Sequence, residues 1–134
     1  MVRAARIAYL VLAWVFLVGV VIQVFVIGLA LFGGTSTELH VNIGWILHLA
    51  PLLVLLAAAL SKAGRRHWVA ALALAAVVFV VPILVLARDS SPAIAALHPV
   101  AAIVAFWLSV VVARNSLEAV GSPLDETASA RVPA

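Results

Sequence analysis

The chain has no cysteine among its 134 residues and a single methionine, Met1. The first absence removes disulfides, thiolate metal sites, iron–sulfur clusters and cysteine nucleophiles together. The second removes paired methionine–histidine ligation of a haem iron. Charge is scarce as well. Asp, Glu, Lys and Arg make up 10% of the residues, against roughly 25% in a soluble domain. None of them lies inside the long apolar runs. That excludes a paired-carboxylate hydrolase, and it disfavours a small channel or transporter, because proton-coupled carriers use an intramembrane carboxylate.

What is present is hydrophobic. The apolar share is 67% and the mean hydropathy +1.31. Four apolar runs stand out, at residues 7–32, 41–60, 68–87 and 93–113. Each holds about 20 residues or more, enough to cross a hydrocarbon layer of about 30 Å. In lipid every backbone polar group must be satisfied within its own segment, so each run is expected to be a helix despite its Val, Ile and Phe content. The first run is too long for the 7–15-residue core of a secretory signal, and no small-x-small cleavage site follows it. The expected fold is therefore an all-α membrane protein: a bundle of four transmembrane helices.

The formal charge of +3 and the pI near 10.7 would suggest nucleic acid in a soluble protein. Here the basic residues flank the spans and read as topology signals instead. Arg3 and Arg6, then Lys62, Arg65 and Arg66, then Arg114 fall on one side of an alternating bundle, and only Arg88 falls on the other. The positive-inside rule then places both termini in the cytoplasm. The connections "GGTSTE" (33–38) and "RDSSP" (88–92) are turn and capping chemistry. Such short links predict an up-down-up-down topology. Ala71 and Ala75, and Ala101 and Ala105, supply small residues at four-residue spacing for close helix approach. Pro51 and Pro82 are expected kinks, each freeing one carbonyl. Residues 1–114 are read as the membrane domain and 115–134 as a polar, disordered cytoplasmic tail.

The polar residues within or beside the spans are few: Gln23, His40, Asn42, His48, His98 and Ser109. An imidazole in lipid is costly and marks a functional hypothesis. With helices two and four running the same way, His40 and His98 lie in the outer half of two parallel helices. Two neutral imidazoles facing each other across a gap can ligate a haem iron from both sides. Gly44 and Ala102, one turn from these histidines, leave room for a flat macrocycle. Arg88 could meet a propionate, and Asn42 could orient a ligand. Depth complicates the pairing. His48 stands about 14 residues from Lys62, His40 about 22, and His98 about 16 from Arg114. At about 1.5 Å per residue, His48 matches the depth of His98 more closely. The iron ligands are thus two of His40, His48 and His98. The plainer readings are a solvated boundary residue at His40, interhelical hydrogen bonds at His48 and His98, and a helix start at His98–Pro99. His67, between Arg66 and Trp68, reads as an interfacial anchor. Gln23 is expected to bond across the bundle.

The segments "VIQVFVIGLALFGG" (21–34), "ELHVNIGWILH" (38–48) and "LHPVAAIVAFWL" (97–108) resemble an uncharacterised family of small bacterial four-helix membrane proteins. The arrangement is also similar to one half of haem A synthase, a four-helix unit with histidines on its second and fourth helices. That resemblance implies His40 and His98 as haem ligands. Glu38 stands near the acidic position of its motif with a different spacing, Val41 replaces the arginine that follows the helix-two histidine, and one half is present where haem A synthase has two. Haem binding is implied; haem modification is not.

The sequence thus predicts a membrane protein binding one haem b near the outer face through bis-histidine ligation, acting in electron transfer or in redox or haem sensing rather than as an enzyme. The lipid bilayer is its first partner. A quinone, an outer-face redox protein and a second copy of the chain are further candidates. The competing expectation is a cofactor-free structural or accessory subunit.

Overall fold

The computed structural model describes residues 1–123; the expected tail beyond Pro123 lies outside the described residues. The elements are α1 (Val2–Gly33), α2 (Glu38–Leu60), α3 (Arg65–Leu86), a one-turn α4 (Pro92–Ala95) and α5 (Leu97–Gly121). No strand occurs among the described residues. Four segments are long and apolar enough to cross a membrane: α1, α2, α3 and the α4–α5 unit. The shortest, with 22 residues, is about 33 Å long at 1.5 Å per residue. Length and composition make this a multi-pass membrane protein.

The four spans pack as a closed ring, α1 and α3 each against both α2 and α5. The buried centre is built from Tyr9, Ala13 and Phe16 of α1, Val54, Ala57 and Ala58 of α2, Ala71 and Leu74 of α3, and Ala105, Val112, Ala113 and Ala119 of α5. Small side chains dominate it, as expected where lipid rather than water surrounds the bundle and close backbone approach supplies the packing. Ala71, Ala75 and Ala105 are buried as their spacing predicts. The large side chains Val15, Phe25, Ile46, Ile103 and Trp107 point outward. α1 and α2 approach closely at Gly19. A methyl group at Gly19 would lie 2.6 Å from Leu47 Cδ2.

The helix ends follow local chemistry. Gly34 takes φ +66°, a left-handed residue that ends α1. Thr37 precedes α2, but its side chain makes no capping bond, so the capping expected from "STE" does not form. Pro51 and Pro82 sit inside continuous helices. Pro99 has a larger effect. It has no N–H to offer the carbonyl of Ala95, and the fourth span is interrupted at Ala96 accordingly.

One expectation is corrected. The segment from Asn115 was expected to be a disordered tail, yet α5 continues to Gly121 and buries Ser116 and Ala119. The stripe Ala105, Ser109, Val112, Ala113, Ser116, Ala119 recurs every three or four residues. It carries on the inward face with serine and alanine after the apolar run stops, so hydropathy alone does not find it.

Candidate functional site

Hydrogen bonds define two ends of the bundle. At one, α1 is tied to α2 by a reciprocal pair: Gln23 Nε2 donates to the His40 carbonyl (3.0 Å), and His40 Nδ1 lies 3.3 Å from the Gln23 carbonyl oxygen. In the other helix pair, His98 Nδ1 lies 2.9 Å from the Val81 carbonyl oxygen. A carbonyl oxygen only accepts, so both rings carry their proton on Nδ1. Nε2 of each is left as a lone-pair donor, the state in which an imidazole binds a metal. Both bonds join residues 17 apart in sequence, so each two-helix unit holds its histidine in the same way.

The two rings are neighbours, with centroids 6.4 Å apart and planes at 73°. His40, not His48, is therefore the residue beside His98. The depth count from Arg114 favoured His48 because it took Arg114 as the end of the span; α5 runs seven residues further, to Gly121. Measured from that end, His98 and His40 lie at similar heights.

The other expected site residues are distributed differently. His48 is half-buried between Trp45 (centroids 5.7 Å apart) and Phe79 (4.3 Å). Its Nδ1 is buried without a partner. Gly44 faces α1, where an added methyl would lie 2.9 Å from Gln23 Nε2; the space beside it holds the Gln23 amide. Gln23 Oε1 is also buried and unpartnered. Ala102 is half-buried and Asn42 exposed. Arg88 is exposed and pairs with Asp89 at 3.6 Å. Among the described residues no three of His, Cys, Asp or Glu cluster as a metal site.

The opposite end carries polar contacts that the sequence did not signal. Arg6, expected only as a topology charge, is 7% exposed. Its Nε donates to the Ser61 carbonyl at 3.2 Å and its Nη1 to the Ser122 carbonyl. Tyr9 donates its hydroxyl to the Val112 carbonyl at 3.3 Å. Arg66 pairs with Glu118. His67 is 2% exposed and stands edge-on to Tyr9, which corrects its reading as an interfacial anchor. The physical reason is the added length of α5, whose last turns cover the start of α3. The available signal was the small-residue stripe through Ser116 and Ala119.

No family model, curated protein or solved structure matches the chain.

Proposed function

We propose that this protein binds one haem b between His40 and His98, in a bundle of up-down-up-down topology with both termini cytoplasmic. The bacterial plasma membrane is the expected location, and the histidine end would then face outward. The observation carrying this reading is the matched pair of imidazoles, each with Nδ1 held by a main-chain carbonyl and Nε2 free. The two rings come from separate helices and stand side by side, with centroids 6.4 Å apart. Two histidines without a third protein ligand nearby also suit a metal whose remaining positions come from a macrocycle.

When bound, the haem would supply one-electron exchange. The chain supplies the rest. His40 and His98 would be the two residues that hold the iron, each through Nε2. The Gln23 and Val81 carbonyls fix ring orientation and raise the basicity of the ligating nitrogens. Ala102 lies one turn from His98, whereas the space beside Gly44 is taken by the Gln23 amide. An outer-face redox protein or a quinone remains the partner class for electron transfer, and redox or haem sensing needs only the ligand pair. The alternative, a cofactor-free accessory subunit, draws on the same edge-on ring contact, which two imidazoles can make as simple helix packing.

The test is the visible spectrum of protein purified in mild detergent from haem-replete cells. A Soret band with a six-coordinate low-spin pattern is expected, lost in His98→Ala and His40→Ala and kept in His48→Ala. Colourless protein carrying all three histidines would support the accessory-subunit reading.

A further inference from the structure

The arginine end holds a second feature, independent of the histidine pair. Arg6 is a buried guanidinium, and Arg3 stands one turn before it in α1. Together with Val120 and Ser122 they line a cavity of about 260 Å³. Carbonyls of Ser61 and Ser122 accept two of the Arg6 N–H groups. A carbonyl dipole does not neutralise a formal charge, and a buried charge is costly unless an opposite charge meets it. Among the described residues the carboxylates Glu118 and Asp89 are engaged by Arg66 and Arg88. Glu38 begins α2, at the histidine end. No described carboxylate pairs with Arg6, so its charge is open to an anion from outside the described residues.

The position of the cavity points to a class of anion. It opens where α1 begins and α5 ends, the level at which a spanning bundle meets lipid headgroups. Basic pockets between helices at that level take phosphate-bearing headgroups, and a guanidinium presents its N–H fork to phosphate oxygens. We propose that Arg3 and Arg6 form a binding site for the phosphate of one anionic phospholipid, with Arg6 as the fixed contact and exposed Arg3 as the adjustable one.

The experiment uses the full chain, delipidated in mild detergent and titrated with phosphatidylglycerol or phosphatidylcholine. Bound lipid is counted by native mass spectrometry, and the melting temperature is followed alongside. One phosphatidylglycerol is expected to bind in clear preference to phosphatidylcholine and to raise the melting temperature. Arg3→Gln, at an exposed position, is expected to weaken that binding about fivefold, the worth of one basic residue near an anionic surface. It should leave the lipid-free melting temperature unchanged. Equal retention of the two lipids, or equal affinity in Arg3→Gln and the natural chain, overturns the proposal. Complete displacement by inorganic phosphate overturns it in favour of a soluble-anion site. If phosphatidylglycerol binds only after Asp125→Asn and Glu126→Gln, the chain's own carboxylates fill the cavity and the lipid assignment is wrong.

Discussion

His40, His48 and His98 are the same side chain in similar surroundings, and what separates them is one hydrogen bond each. His40 and His98 are held by main-chain carbonyls through Nδ1; Nδ1 of His48 is buried without a partner. A held ring has one tautomer and one direction, which is what ligation requires. Gly44 protects that arrangement. In Gly44→Ala the new methyl would stand 2.9 Å from Gln23 Nε2 and push the amide off the His40 carbonyl. The expected cost is about 1 kcal/mol, read as a lower unfolding midpoint in detergent. Gly19→Ala meets the packed Leu47 side chain instead and is expected to cost about 1–3 kcal/mol by the same assay. At the other end, Tyr9→Phe removes the bond to Val112 and is expected to cost about 0.5–1.5 kcal/mol. It should not change any visible spectrum, because Tyr9 lies at the opposite end of α1 from Gln23.

At the level of the helices, the sequence was most informative where lipid imposes the answer. Four apolar runs became four segments long and apolar enough to span, because lipid favours a backbone that satisfies itself; the fourth is broken near its start, at Ala96. The extents were harder to read. Ser116 and Ala119 belong to α5 through their spacing, while the polar make-up of the segment from Asn115 suggested a tail; that misread end hid the burial of His67 and misjudged the depth of His98. The partners of His40 and His98 were not legible, since Val81 contributes only its carbonyl and leaves no trace in the side-chain pattern. Pro99 offers a test at this scale. Pro99→Ala restores an N–H for the Ala95 carbonyl and is expected to fuse α4 and α5 into one helix. Hydrogen exchange should show slowed amides around Ala96. Because His98 adjoins the break, its bond to Val81 should weaken as the helix straightens.

Across the whole molecule, orientation can be measured directly, since a chain with no cysteine accepts single probes without background labelling. In intact cells Ser36→Cys and Ser90→Cys are expected to react with an impermeant maleimide, and Ala63→Cys only after permeabilisation. The reverse pattern would put the histidine end in the cytoplasm.

The two ends of the bundle are also fastened differently. At the arginine end, Arg6 and Tyr9 of α1 reach Ser122 and Val112, so hydrogen bonds stitch the first helix pair to the second. At the histidine end, the side-chain bonds stay within each helix pair. The molecule is therefore built like a clothes peg, sprung at one end and free at the other. The jaws at that end carry the two imidazoles, and among the described residues no side-chain hydrogen bond would have to break for them to part.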